Sequence, residues 1–337
     1  MSRSRQTPVM ADVAKLAGVA PITVSRVINN HPLVTDATRA KVQQAIDTLG
    51  YRSNMAARTL AGGRSRVLGV ISVETEFYGP SRALFGIQAA ARDSDHSVVF
   101  VTLREASVEE MRAGLDHLRD AHVEGIIVIA PVHQAVDALD AIQPTVPFVV
   151  TSDGNDAYPS VSIDQVQGAR LATAHLLDLG HETVHHVQGP KGWLDAEARA
   201  EGWRQELRAR KRRIPRPLRG DWSPASGFRA GEVLAADPSV TAIFVANDQM
   251  ALGVILALLA ARRDIGKGVG LVGFDDTPES AYYAPPLTTV RQDLGDVGGR
   301  AVELLLDIMA GGEDRQIRIE PSLVVRYSSD PSTQRQR

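Results

Sequence analysis

Cysteine is absent from all 337 residues, which excludes a disulfide framework, a cysteine-based metal site and a cysteine nucleophile, and agrees with a reducing compartment. The opening segment MSRSRQTPVM has neither the apolar stretch nor the cleavage site of a secretory signal. The longest apolar run, Met250 to Ala261, is too short to span a bilayer. A cytoplasmic protein with no membrane partner is expected. No G-x-S-x-G elbow, no P-loop, no internal repeat and no low-complexity tract occurs. Carboxylates are plentiful, so a glycosidase is not excluded by their number alone. Nothing in the pattern asks for a cofactor or a metal, and a non-enzymatic protein is expected.

The net charge of −3 conceals an asymmetry. Residues 1–66 hold ten Lys or Arg against three acids, a balance of +7, and the remainder carries −10. A cationic module of that size has the electrostatic footprint of phosphate-backbone binding, while the acidic body is repelled by DNA.

Within the basic module, MADVAKLAGVAPITVSRVIN (10–29) reads as two short helices around a turn. Gly18 stops the first helix and Pro21 suits the first position of the second. In the second, Ile22, Arg26 and Asn29 share one face, while Val24, Val27 and Ile28 can turn to a small core. This is the grammar of a helix-turn-helix. Thr35 then caps a third helix, Ala37 to Leu49, stopped by Gly50. The segment YRSNMAARTLAGGRSR reads as a short basic linker ending in Gly62 and Gly63.

From Val67 onward strand-like runs alternate with helical stretches: VLGVIS, SVVFVT, GIIVIA, PFVVTS, VSID, VHHVQG, AIFVAN and GLVGFD, separated by helices such as Gln165–Leu179 and Gln249–Ala261. Such alternation predicts an α/β protein with two doubly wound parallel-sheet lobes behind a small all-α head. Ligands of open parallel sheets sit beyond the carboxyl ends of the strands, which points to Val73–Tyr78, Thr151–Asp156, Gln188–Trp193, Asn247 with Asp248, and Phe274–Thr277. Asn247 and Asp275 can clamp vicinal hydroxyls. Two of only three tryptophans, Trp193 and Trp222, lie in polar turns where a ring can stack on a pyranose. Arg199 can fork onto hydroxyl oxygens or, alternatively, pair at the surface with Glu197 or Glu201.

The stretch DVAKLAGVAPITVSRVIN resembles the amino-terminal signature of the LacI/GalR family of bacterial transcription regulators, and GDWSPASGF, VANDQMALG, FDDT and PPLTTVRQD resemble that family's sugar-binding core. The resemblance implies a helix-turn-helix domain over 1–49, a hinge over 50–63 and a periplasmic-binding-protein-like core over 64–337. Within the core, lobe 1 takes about 64–163 and 293–320, and lobe 2 about 164–292 and 321–330. It implies a homodimer on double-stranded palindromic operator DNA that represses sugar-utilisation genes and is released by a small-molecule sugar, with a galactoside or β-glucoside disaccharide expected. A corepressor-dependent regulator and a solute-binding protein are the alternatives.

By position, the resemblance assigns DNA contacts to Pro21, Ile22, Thr23, Ser25, Arg26, Asn29, Asn54, Arg58 and Leu60, the last as a minor-groove wedge. It assigns ligand contacts to Phe77, Asp153, Arg199, Trp222, Asn247, Asp275 and Gln292, to which the turn reading adds Trp193. Pro21 and Ile22 stand where polar base readers are found, leaving Arg26 the guanine reader. No heptad segment follows the final helix, Leu294–Ala310, so no tetramer is expected. Two decoys need separating. His181-Glu182-Thr183-Val184-His185 spells H-E-x-x-H, but Gly180 precedes it and Thr183–Gln188 reads as a strand, where period two cannot reproduce the zinc geometry. The basic run Arg208–Arg219 reads as a solvated face.

Overall fold

A computed structural model describes residues 8–28, 31–51, 64–73, 77–142, 144–152 and 157–336. The chain divides into two compact units, Met1–Ser65 and Arg66–Arg337.

The first unit packs α1 (Met10–Ala17), α2 (Pro21–Ile28) and α3 (Asp36–Leu49) around Val13, Ala14, Val24, Val27, Val42 and Ala45. Gly18 and Gly50 close α1 and α3 in left-handed conformation, as a Cβ-free residue can do without penalty. Thr35 caps α3 by accepting from the Thr38 amide. Val9 offers α1 no side-chain cap, and Asp12 compensates in part by accepting from the Val9 amide at 2.9 Å. Arg39 ties α3 to the end of α2 by donating to the carbonyls of Val27 and His31.

The second unit holds two six-stranded sheets. One, ordered β11-β5-β4-β3-β1-β2, is parallel throughout. It contains β1 (Val67–Val73), β2 (Ser97–Leu103), β3 (Gly125–Ile129), β4 (Phe148–Thr151), β5 (Ser160–Ile163) and β11 (Gln316–Ile319). Helices α4 (Tyr78–Asp93), α5 (Val108–Asp120), α6 (His133–Ile142) and α11 (Leu294–Met309) belong to this lobe. The other sheet, ordered β12-β10-β9-β8-β6-β7, contains β6 (His185–Gln188), β7 (Leu218–Arg219), β8 (Ala242–Val245), β9 (Gly270–Asp275), β10 (Thr288–Arg291) and β12 (Ser322–Val324). Only β12 runs antiparallel to its neighbour. Its helices are α7 (Gln165–Asp178), α8 (Leu194–Ala209), α9 (Pro224–Ala235) and α10 (Asp248–Ala260). Strands such as β1, β3 and β9 are buried along their whole length, the continuous apolar pattern of a sheet covered on both faces.

The chain crosses between lobes three times, after β5, after β10 and after β11. No helix among the described residues is long and apolar enough to cross a membrane.

Helix α9 and the short strands β7, β10, β11 and β12 are not anticipated by the sequence pattern. Ser223 caps α9 and Pro224 opens it, so the cue exists, but Gly227 and Gly231 disguise the helix. Those glycines serve close packing. A Cβ on Gly227 would lie 2.0 Å from the Met250 carbonyl oxygen, and one on Gly253 would lie 1.9 Å from that of Pro224. The backbones of α9 and α10 therefore touch where no side chain fits. Gly253→Ala is expected to force them apart and to lower unfolding free energy by about 2 kcal/mol, within the usual range for overpacking; a urea titration showing under ~0.5 kcal/mol of change would contradict the close approach.

Candidate functional site

Both lobes present strand ends and helix starts to a shared cavity of about 300 Å³, at the small end of the roughly 300–1,000 Å³ of small-molecule sites. Lobe 1 contributes Phe77 and Tyr78 at the start of α4, and Thr151 and Ser152 at the end of β4. Lobe 2 contributes Gln165, Trp193, Asp195, Arg199, Trp222, Asn247, Asp275 and Gln292.

One wall is aromatic. Trp193 sits edge-on between Phe77, 5.2 Å away by ring centroid, and Trp222, 5.5 Å away. Trp222 has φ +71°, in the left-handed region. Its ring lies so near Gly189 that a Cβ there would be 2.3 Å from it.

Beside the Trp222 ring, 5.7 Å from its centre, stands a polar wall built around Arg199, which is 4% exposed. Its Nε donates to Gln165 Oε1 at 2.8 Å, and its Nη1 donates to the Ala246 carbonyl. The guanidinium stands 3.6 Å from Asp275 Oδ1 and 3.7 Å from Asp195 Oδ2, with its carbon 3.9 Å from the centre of the Phe274 ring. Asp275 ends β9 at φ +112°, a conformation rare outside glycine that turns its carboxylate into the cavity. Gln292 Nε2 donates to Asp275 Oδ1 at 2.6 Å. Burial pushes the Asp275 carboxyl up to about 8, against the pull of Arg199 and with a further push from Asp248. Among the described residues, the hydroxyls of Thr151 and Ser152 and the indole N–H of Trp222 are buried without a partner. Buried polar atoms are normally satisfied, so these three mark where a ligand's polar atoms belong.

Asp275 also sets a pH dependence of stability. Its folded value lies above the ordinary 3.8, so its contribution is fully present below about pH 4 and is lost as pH rises through about 8. Asp275→Asn is expected to flatten the melting temperature between pH 5 and 8 relative to the parent; parallel pH profiles for the two proteins would contradict the assignment.

Residues 9–54 match the model of bacterial regulatory proteins, lacI family, and residues 173–329 match that of a periplasmic binding protein-like domain. The chain is 34% identical to the lactose operon repressor of Klebsiella pneumoniae, over 97% of this chain and 94% of that protein. The chain belongs to the LacI family of bacterial regulatory proteins. Among solved structures, the lac repressor dimer bound to operator and the anti-inducer ONPF superposes with a TM-score of 0.88 at 33% identity, covering 96% of this chain and 100% of that one. A transcriptional regulator CelR–cellobiose complex superposes with a TM-score of 0.71 at 29% identity and the same coverage.

Seven of the eight ligand positions expected from the sequence of this LacI-family chain line the one cavity: Phe77, Trp193, Arg199, Trp222, Asn247, Asp275 and Gln292. The eighth, Asp153, lies outside the described residues. Neither surface alternative for Arg199 is found: Glu197 accepts from His133, and Glu201 pairs with Arg204 and Arg208. Asn247 is more committed than its residue type suggests. Its Oδ1 caps α10 through the Met250 amide, and its Nδ2 donates to the Trp222 carbonyl and to Gln249. Asp248, read as part of the same strand end, points away from the cavity and is fully buried.

Gln165, Asp195, Thr151, Ser152 and Tyr78 also line the cavity, and none carries an individual signal in the sequence. Three of them lie in the strand-end windows named from the sequence; Gln165 and Asp195 occupy first turns of helices, which the strand-end rule does not cover.

In the head, Pro21, Ile22 and Arg26 are exposed, with Ile22 at 60%, while Thr23 and Ser25 are half-buried. Ile22 and Arg26 thus share an outward face opposite Val24 and Val27. Asn29, Asn54, Arg58 and Leu60 lie outside the described residues. The H-E-x-x-H run is not helical: His181 bonds Thr241, and His185 opens β6. Among the described residues no group of three His, Asp or Glu is placed to hold a metal.

Proposed function

We propose that this chain is a transcriptional repressor of sugar-utilisation genes that binds a palindromic operator as a homodimer and is released when a galactoside or β-glucoside disaccharide enters the interlobe cavity. It acts in the cytoplasm by binding, without catalysis. The observation that carries the proposal is the cavity's division into an aromatic wall, Phe77–Trp193–Trp222, and a wall of fixed donors and acceptors around Arg199, Asp275 and Gln292. A pyranose has matching surfaces, an apolar C–H face and a rim of hydroxyls.

The domain assignment proposed is a head over 1–49, a hinge over 50–63, and a core from 64 onward. Dimer formation is supported by α10, whose outward stripe Leu252, Leu256 and Leu259 is 41%, 59% and 48% exposed, a contiguous apolar face of the kind that marks an interface. Two heads related by a two-fold axis match two half-sites of a palindrome.

Fluorescence anisotropy of labelled DNA from the upstream region, at fixed salt and with lactose, allolactose, cellobiose, galactose and purines in turn, tests the reading. Tight binding released by one disaccharide is the expected result; binding that appears only with a ligand makes that ligand a corepressor, and absence of sequence-specific binding overturns the reading. Because a carboxylate accepts two hydroxyl protons and a carboxylic acid donates one, sugar affinity is expected to rise between pH 7 and 9 as Asp275 ionises. Leu60→Ala is expected to weaken operator binding at least tenfold with sugar affinity unchanged, as removal of an intercalating wedge should.

A further inference from the structure

Four cavity side chains close a ring. Arg199 Nε donates to Gln165 Oε1 at 2.8 Å, Gln165 Nε2 donates to Gln292 Oε1 at 2.7 Å, Gln292 Nε2 donates to Asp275 Oδ1 at 2.6 Å, and Asp275 faces the Arg199 guanidinium at 3.6 Å. Every hydrogen bond runs from the Arg199 guanidinium towards the Asp275 carboxyl. Both glutamine amides are therefore held in one orientation, since flipping either sets two donors or two acceptors against each other.

The ring's members come from different places in the fold. Arg199 and Asp275 belong to α8 and β9 of lobe 2. Gln165 lies two residues beyond β5, and Gln292 immediately follows β10. These are the first and second crossings between the lobes, so the Gln165–Gln292 bond joins two of the three connections about which the lobes can turn. Gln165 is 2% exposed, its second amide proton goes to Asp195 at 3.3 Å, and its oxygen is held by Arg199. Both its donors are committed within the protein.

We propose that Gln165 is a positioning residue that couples occupancy of the cavity to rotation of the lobes: a ligand drawing on Arg199 or Asp275 shifts the ring, and Gln165 passes the shift to both crossings. The inference rests on the reading of the cavity as an effector site. Coupling of this kind is a free energy shared by two binding events, so it can be lost while either affinity alone survives.

The test uses the full chain with Gln165→Leu, of similar length and without hydrogen-bonding atoms, and Gln165→Glu, which keeps the acceptor for Arg199 and loses the donor to Gln292. Operator affinity is measured without sugar and with saturating lactose, and with cellobiose as a second probe. In both variants the factor by which saturating sugar weakens operator binding is expected to fall at least tenfold, a ratio read with the cavity filled and so independent of any change in sugar affinity that the loss of a lining residue brings. Amide exchange in the sugar-free protein is expected to quicken at least tenfold in peptides spanning 160–168 and 288–296. A coupling factor at the parent's value once the cavity is saturated, whatever the change in sugar affinity, would make Gln165 an ordinary lining residue, and unchanged exchange in the two crossing peptides would also overturn the proposal. Should Gln165→Leu fail to fold, Gln165→Glu decides. Should the parent respond to no sugar, the effector reading fails on its own experiment, and exchange in the two crossing peptides still decides whether Gln165 links them.

Discussion

Arg199→Leu is expected to abolish the response of this LacI-family chain to sugar, with at least a 100-fold loss of sugar affinity, about 2.7 kcal/mol. A single charge-assisted hydrogen bond is worth roughly 1.5–3 kcal/mol, and Arg199 is the cation of the polar wall, packed on Phe274 and bonded to Gln165 and the Ala246 carbonyl. Leucine fills part of the volume and supplies no donors, so the Gln165 oxygen and the Ala246 carbonyl lose their partner. Breaking a buried ion pair destabilises by roughly 3–5 kcal/mol. The lower end is expected here, because burial raises Asp275 to about 8 even beside Arg199, so the carboxyl is already largely protonated near neutral pH and removing the cation uncovers little charge. Calorimetric titration with the inducing sugar and thermal melting check both halves. The operator should remain bound at all sugar concentrations, and sugar affinity within threefold of the parent would sink the assignment of Arg199 to the ligand.

Asp248→Ala acts on stability first and on ligand binding through it. Asp248 is fully buried, and its two carboxylate oxygens accept from the Thr277 amide at 2.9 Å, the Ser280 hydroxyl at 2.5 Å and the Thr289 hydroxyl at 2.6 Å. These bonds pin the loop after β9, including the 3₁₀ turn Pro278–Tyr282, to the start of α10. Alanine leaves the Thr277 amide and the Thr289 hydroxyl as buried donors without an acceptor, each costing about 1–3 kcal/mol, while the Ser280 hydroxyl keeps Thr277 Oγ1 at 2.8 Å. The carboxylate's own burial, which raises its pKa to about 6, offsets part of that. A net loss of about 4 kcal/mol follows, and a drop in melting temperature of roughly 10 °C for a core of this size. Because the same loop begins at the strained Asp275, sugar affinity should weaken as well. A shift below about 3 °C would show that the loop is held by other contacts.

The head's helices were legible because their signals are local. Apolar spacing places Val13, Val24, Val27 and Val42 inward, Pro21 and Thr35 mark helix starts, and Gly18 and Gly50 mark ends. Alternating strands and helices likewise declare two parallel sheets, since a strand covered on both faces must be apolar throughout. The short strands β10, β11 and β12 were not legible: each takes its place from pairing with a distant partner, as β12 does antiparallel to β10. Helix α9 was hidden because the glycines that weaken it as an isolated helix are what allow it to lie against α10.

The same division runs through the cavity. Residue type and strand ends, read with the family resemblance, determined that Arg199, Trp222, Asp275 and Gln292 could meet a sugar, and the charge asymmetry determined that the amino-terminal module suits a phosphate backbone. Tertiary structure alone decided that Arg199 pairs with Asp275 rather than with a neighbouring glutamate, that Asp248 holds a loop rather than a ligand, and that Gln165 on the first crossing bonds Gln292 on the second. The reason is range. Caps, periodicity and strand ends are encoded within a few residues, whereas the partner of a buried polar group is set by packing of segments as far apart as 165 and 292, whose amides meet only once both lobes have formed.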